Sequence, residues 1–391
     1  MTSNINVTIV CNGRFHHFDL ARELQKRDML EQLFTAYPTW KLRGEDISPD
    51  LVTTFPWLKT PYMALSKWKF LGQGNFERNL DWYAHEFLDR YVARNLPQSN
   101  LLFALSGSGL RCGRAMQARG GKFICDRGSS HIRFHDAILK EEFSRWGNEF
   151  RGVDPRMLNK EEAEYETCDI ITVPSAFAYR SFVEMGISSE KIRKIPYGVD
   201  LRRFEKVADP SVNSFDVLFV GQVSFQKGVP YLIEAFKCFS YSNKHLTFIG
   251  RITIEMEQYL KYNTPPENVE FLGPLPQPEL KKFMSRSHVM VLPSIQEGLA
   301  MVQAQALACG CPVIGTTNTG AQDLFSDGVQ GFIVPIRDAQ TIADKLQELA
   351  DNPDKRQDMS LAAVKRVADL GGWQSYGDQM AAIFQELMNG G

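Results

Sequence analysis

The sequence predicts an α/β protein of two doubly wound domains, on three observations. Short apolar runs alternate with amphipathic stretches over most of the 391 residues. The runs are rich in β-branched and aromatic side chains and end on Gly or Pro, as buried parallel strands do. The pattern then restarts near residue 215, after a polar, proline-containing stretch at 191–215. Candidate strands are 6–10, 101–105, 122–125, 170–174, 217–221, 246–250, 269–273, 289–293, 311–315 and 331–335. Helical spacing lies between them at 17–27, 176–185, 231–239 and 339–349. Such alternation builds parallel sheets with helices on both faces. The expected division is an N-terminal domain over 1–205 and a C-terminal domain over 206–370. An amphipathic helix within 371–391 is expected to pack back on the first domain. Residues 31–100 alternate poorly and are rich in Trp, Phe, Tyr and Lys. They read either as a substrate or partner surface or as a helical cap over the core.

Composition narrows the class. An apolar fraction of 43% with 23% charged residues is that of a folded globular chain, and the length suits two domains. A formal net charge of −2 gives no basic field for nucleic acid. No apolar run approaches the ~18–20 residues that span a bilayer. The start, MTSNINVTIVC, has no basic n-region, so no signal peptide is expected and the cytoplasm is the expected location. The seven cysteines are odd in number and lack metal-ligand spacing, which favours buried free thiols in a reducing compartment.

Chemistry concentrates at 294–335, SIQEGLAMVQAQALACGCPVIGTTNTGAQDLFSDGVQGFIVP. Gly298, Leu299 and Ala300 let a helix start come close to a ligand, and free N–H groups with the helix dipole suit a phosphate. Glu297 can accept from sugar hydroxyls, and Gln305, two turns on, is expected on the same side of that helix. A tightly packed βαβ unit accounts for the glycines alone equally well. The segment resembles the hallmark of family 4 retaining glycosyltransferases (glycosyl transferases group 1), matching at Glu297, Gly298, Gly310, Pro312, Val313, Ile314 and Gly320. It departs at Gln305, where the family's second glutamate holds the ribose hydroxyls; a glutamine oxygen can still accept one such bond.

Two further stretches carry the same resemblance. VLFVGQVSFQKGVPYLIEAF (217–236) is similar to the family's G-R-x-x-x-x-K-G pyrophosphate loop, with Lys227 and Gly228 in place and Gln222 where the arginine stands. Arg251, directly after Gly250, could replace that cation by pairing bidentately with phosphate, or be a solvated surface arginine. Residues 164–204 resemble the approach to the second domain, with Pro196, Gly198, Val199, Asp200 and Phe204 matching.

The resemblance implies a GT-B fold, two Rossmann-like domains facing a central cleft. It implies retaining transfer of a hexose from a UDP- or GDP-type sugar to a carbohydrate acceptor. The leaving diphosphate would be held by Lys227, Arg251 and backbone N–H groups, with a phosphate oxygen deprotonating the incoming hydroxyl. Glu297 would steady the reacting sugar. No Asp-x-Asp triplet occurs, so neither a metal nor any cofactor beyond the nucleotide sugar is expected.

Two first-domain loops follow strands, where open α/β sheets bind ligands. In 11–21, Gly13 permits close backbone approach to the donor, and Arg14, His16 and His17 could meet an acceptor or phosphate; adjacent solvent-facing histidines can also be incidental. In 125–136, Asp126, Arg127, Ser130 and His131 are dense in polar function. They stand where the family carries a histidine-containing loop near donor sugar and acceptor. Asp126 and His131 are therefore candidate catalytic groups, and Arg127 and Ser130 candidate acceptor ligands. A helix N-cap by Ser129 or Ser130 explains part of the pattern.

The acceptor stays open. PWLKTPYMALSKWKFLGQG (56–74) interleaves Trp57, Tyr62, Trp68 and Phe70 with Lys59, Lys67 and Lys69 and has no acid. That suits peripheral contact with the inner face of a membrane, or a core-facing helix with solvated lysines. The acceptor is then either a polysaccharide or glycolipid intermediate or a soluble sugar phosphate, as in sucrose-phosphate synthesis. Outside this class stand a sugar-nucleotide epimerase and a non-catalytic nucleotide-sugar-binding protein, the latter raised by Gln222 and Gln305.

Overall fold

The computed structural model describes residues 5–58, 60, 75–200 and 203–389. The first half runs β1 (Val7–Cys11), α1 (His17–Gln25), β2 (Leu30–Thr35), β3 (Val52–Thr54), α2 (Asn75–Arg94), β4 (Leu101–Leu105), α3 (Leu110–Gln117), β5 (Lys122–Asp126), α4 (Ile132–Arg145), α5 (Pro155–Thr167), β6 (Ile170–Val173), α6 (Ala176–Glu184) and β7 (Ile192–Lys194). The second runs β8 (Phe215–Val220), α7 (Val229–Cys238), β9 (Lys244–Ile249), α8 (Ile254–Tyr262), β10 (Val269–Gly273), α9 (Gln277–Arg286), β11 (Val289–Leu292), α10 (Met301–Ala308), β12 (Val313–Thr316), α11 (Ala321–Leu324), β13 (Gly331–Val334), α12 (Ala339–Asp351), α13 (Pro353–Asp369) and α14 (Trp373–Asn389).

Two parallel sheets result, ordered β3-β2-β1-β4-β5-β6-β7 and β10-β9-β8-β11-β12-β13. The side-chain period of two explains why their strands read as continuous apolar runs. In β1, Val7, Ile9 and Cys11 join the layer holding Phe18, while Val10 joins the opposite layer with Leu88 and Phe123. In β8, Phe215, Val217 and Phe219 face Phe236 and Phe248, while Leu218 and Val220 face Leu307 and Met290. With both faces covered, nearly every residue is apolar, buried Thr8 of β1 and half-buried Asp216 of β8 being the exceptions. A fully buried side chain of this size contributes ~1.5–3 kcal/mol relative to its exposed state.

All ten expected strands are present, with ends shifted by a residue or two. Three others were not foreseen: β2, β3 and β7. Their sequences, LEQLFT, VTT and IRK, carry polar residues at half-buried positions, and β3 and β7 are edge strands with one flank unpaired. The poorly alternating 31–100 thus contributes two strands and the 20-residue helix α2. Helix α14 lies against α1, placing Tyr376, Met380 and Phe384 in the layer of β1 and pairing Arg27 with Asp378 at 2.5 Å. Six cysteines are buried, Cys238 is exposed, and all seven are free.

No helix among the described residues is long and apolar enough to cross a membrane. Of the aromatic and basic stretch, Trp57 is 74% exposed. Lys59, Tyr62, Lys67, Trp68, Lys69 and Phe70 lie outside the described residues.

The strand order reverses between β1 and β4 and again between β8 and β11. At such a switch point two neighbouring loops diverge and leave a crevice beyond the carboxyl ends of the strands. The loops after β1, β8 and β11 hold most of the candidate residues.

Candidate active site

On the second sheet, glycines force the switch-point loops together. Gly228 sits at φ +66°, and a Cβ there would lie 2.0 Å from the Pro293 carbonyl oxygen. Only glycine fits this left-handed, close position. The contact brings Lys227, after β8, against Glu297, after β11, and their side chains form an ion pair. The Glu297 N–H donates to the Asn318 carbonyl at 3.1 Å, and Ile295 N–H to the Gln226 carbonyl at 2.9 Å, which fixes the loop. Three residues beyond Glu297, Ala300 caps α10 with no side-chain hydrogen bond, and the first turn holds no acid. The N–H groups and positive end of the helix dipole there suit an anion.

Gln222 and Arg251 lie side by side. The Val223 N–H donates to the Arg251 carbonyl at 2.9 Å, and Val223 bridges Ile252. Gly250 allows this, since a Cβ there would stand 1.8 Å from the Gly221 carbonyl oxygen. Gln222 and Arg251 are both exposed.

Glu297 and Gln305 do not share a helix face. The helix starts only at Met301, so Glu297 sits on the loop before it. Gln305 instead lines a 440 Å³ cavity with Gly198, Asp200 and Gln277. Sequence spacing assumed one continuous helix, and Gly298 to Ala300 break it.

The two halves meet tightly at this loop. A Cβ on Gly298 would lie 1.9 Å from the Gly128 carbonyl oxygen of the first half. The Ser175 hydroxyl donates to the Gly298 carbonyl at 2.6 Å. Gln296 Nε2 donates to the hydroxyls of Ser129 at 2.7 Å and Ser130 at 3.0 Å. Leu299 and Ala300 are buried in the same junction. Gln296, Ser175 and Tyr197 were not foreseen; their one signal was a polar group beside apolar residues.

Facing this loop, the first half holds a cavity of 590 Å³ lined by His16, Ser106, Arg127, Gly128, Tyr197 and Met301, among others. Met301 also lines the Gln305 cavity, so α10 borders both. Arg127 is anchored by Glu161 at 3.0 Å and donates to the Ser130 carbonyl at 3.0 Å. Arg14, at the outer edge, pairs with Glu45 at 2.6 Å. The ring of Phe15 would lie 2.7 Å from a Cβ on Gly13.

Four first-half residues take places other than those expected. His131 is 2% exposed and is itself the N-cap of α4, accepting from the Arg133 N–H. Tyr165 and Phe182 enclose its ring, and burial pushes its pKa down to about 4. It therefore caps a helix in place of Ser129 or Ser130. Ser130 is fully buried and bonds Gln296. His17 is fully buried rather than solvent-facing. Asp126 is 2% exposed and does not line the cavity; it accepts from the Thr172 hydroxyl at 2.7 Å and lies 2.9 Å from His16 Nε2. Burial alone would raise its carboxyl, but His16, His17 and Thr172 hold it below the usual carboxylate range.

Two parallel doubly wound sheets whose switch-point loops face one another define the GT-B fold, and solved structures agree. HepE of Anabaena, solved with UDP, superposes with a TM-score of 0.71 at 17% identity, over 98% of this chain and 100% of that one. Sucrose-phosphate synthase of Thermosynechococcus elongatus gives 0.73 at 19% identity, over 99% and 100%. Residues 202–366, covering β8 to most of α13, match the model of the family glycosyl transferases group 1. Among curated relatives, a D-inositol 3-phosphate glycosyltransferase of Paenarthrobacter aurescens is 25% identical over 61% of this chain. The amylovoran biosynthesis glycosyltransferase AmsK of Erwinia amylovora is 25% identical over 52%. The matched stretches span 63% and 53% of those two proteins.

Proposed function

We propose that the chain transfers a hexose, with retention, from a UDP- or GDP-sugar to a carbohydrate acceptor in the cleft between its halves. The observation that carries this is the Lys227–Glu297 pair at the switch point of the second sheet, beside the uncapped start of α10. A cation and a helix N-terminus together offset the charge that builds on a departing diphosphate. Arg251 stands beside Gln222 and supplies the second cation. Glu297 accepts from hydroxyls of the donor sugar, and the acceptor enters by the 590 Å³ cavity opposite. The family match in the second half and the fold shared with a UDP-bound structure support the same reading. The test is turnover with a panel of UDP and GDP sugars against glycan and sugar-phosphate acceptors, with the product anomer read by NMR. Nucleotide binding without transfer would favour the non-catalytic alternative.

Gln305 on α10 would accept from the ribose. Gln305→Glu is then expected to tighten donor binding or leave it unchanged, because a carboxylate accepts from two hydroxyls. Calorimetry with UDP and GDP checks this, and loss of binding would move the ribose elsewhere.

The acceptor we favour is a polysaccharide or glycolipid intermediate presented at an anionic membrane surface. Exposed Trp57 and the three lysines at 59, 67 and 69 support it. Each lysine contributes about 1 kcal/mol near such a surface. The protein is expected to sediment with anionic vesicles at low salt and leave them at high salt. Sedimentation unaffected by changing all three lysines to alanine would remove this basis.

A further inference from the structure

A second cavity of the first half lies outside the reaction cleft. It measures 400 Å³ and sits among α2, the start of α3 and α5, with Tyr83, Phe87, Arg90 and Arg111 among its lining residues. Two helices join it to the 590 Å³ cavity. On α2, Asp81 and His85 line the reaction side, whereas Trp82 and Glu86, each the next residue round, line this one. On α5, Met157 and Glu161 divide in the same way from Arg156 and Lys160. Neighbouring residues of a helix point about 100° apart, so the two cavities adjoin around the same helix pair.

The charge of this second cavity is unbalanced. Among the described residues, Glu86 is the one acid lining it, against Arg90, Arg111, Arg156 and Lys160. Arg156 pairs with Asp154 at 2.6 Å. Lys160 is buried and pairs with Asp89 at 2.8 Å, reaching Glu86 at 3.0 Å as well. Glu164 is fully buried and spends its oxygens on the N–H groups of Gly107, Gly109 and Leu110. Arg90 and Arg111 are left to share Glu86, each through Nε, at 2.8 and 2.6 Å. Two guanidiniums on one carboxylate leave one positive charge over at the cavity wall, and both side chains are about half exposed.

The rest of the wall is aromatic. Tyr83 and Phe87, one turn apart on α2, are 46% and 42% exposed, with ring centroids 5.9 Å apart. Arg90 lies over the Phe87 ring at 5.9 Å, which joins the cations to the rings. Exposed rings beside undercompensated guanidiniums in a recess mark a ligand surface rather than a packing surface.

We propose that this cavity is a second carbohydrate subsite, binding uronate-bearing sugars of an acidic acceptor chain whose reacting end lies in the 590 Å³ cavity. The proposal rests on the transferase reading above. The negative faces of Tyr83 and Phe87 take the polarised C–H faces of pyranose rings. Arg90 and Arg111 grip a sugar carboxylate, which guanidinium geometry matches in bidentate fashion. One carboxylate balances the single excess charge, whereas a phosphate monoester would bring about −1.5 to −2. A membrane is a poorer occupant, because it meets protruding side chains and these rings line a recess.

The experiment is isothermal titration with two probes of equal length. One is a hyaluronan hexasaccharide, in which uronate and neutral sugars alternate, and the other is neutral maltohexaose. Every variant is first shown folded by thermal melting. The wild type is expected to bind the hyaluronan hexasaccharide about 10-fold tighter than maltohexaose, or more. Arg90→Gln with Arg111→Gln should weaken the acidic probe about 10-fold or more, the scale of one lost charge-assisted pair. Tyr83→Ser with Phe87→Ser should weaken it about 5-fold or more. UDP affinity should stay unchanged in both. The two rings are exposed, so the ring pair decides should the arginine pair not fold. Equal binding of the probes, no binding of hyaluronan, or unchanged affinity in either folded variant overturns the proposal. So does loss of UDP affinity in the variants. The ring pair leaving phosphatidylserine vesicles that hold the wild type would also overturn it, by turning this surface toward a membrane. Hyaluronan binding as expected, with no transfer by the wild type to any acceptor, would leave the subsite and overturn the transferase reading instead.

Discussion

Glu297→Ala is expected to lower turnover by ~10²–10³-fold while UDP or GDP binds as well as before or better. In the free protein Glu297 occupies Lys227, and both side chains are largely covered. Removing the carboxylate frees the ammonium for phosphate, so nucleotide affinity has no reason to fall. What disappears is the acceptor for the reacting sugar's hydroxyls, which matters most as positive charge develops on the ring. Isothermal titration beside steady-state kinetics separates the two. Equal losses in affinity and turnover would make Glu297 a structural prop for the loop between β11 and α10.

Lys227→Ala is expected to reduce kcat/KM for the donor by ~10²-fold or more, the scale of one lost transition-state cation. The loss should be large because the usual arginine partner is Gln222. Arg251, exposed beside it, then carries the remaining charge alone. Lys227→Arg should restore part of the rate. Unchanged kinetics in Lys227→Ala would place the diphosphate elsewhere.

How far the sequence was readable follows from what each residue depends on. β1 and β8 were legible because both faces are buried, so nearly every position is constrained to be apolar. β3 and β7 were not, since edge strands tolerate Thr, Arg and Lys. The Lys227 and Glu297 motifs were legible because their loops are short and local, though their mutual ion pair is not written in either motif. Four first-half residues, His17, Asp126, Ser130 and His131, were misplaced for the opposite reason, whereas His16 and Arg127 do line the cavity. Asp126 looked like a cleft acid until its partner 110 positions away was known. His131 looked catalytic because its role as a helix cap depends on where α4 begins. The Gln305 orientation depends on the helix starting at Met301, which small residues on either side do not reveal.

The most direct test of the central claim is a crystal structure with UDP or GDP bound. The account predicts the diphosphate within hydrogen-bond reach of Lys227 Nζ and the first N–H groups of α10, with Arg251 alongside and Gln305 toward the ribose. A nucleotide seated away from the β8 and β11 loops would contradict it, as would phosphates held without Lys227.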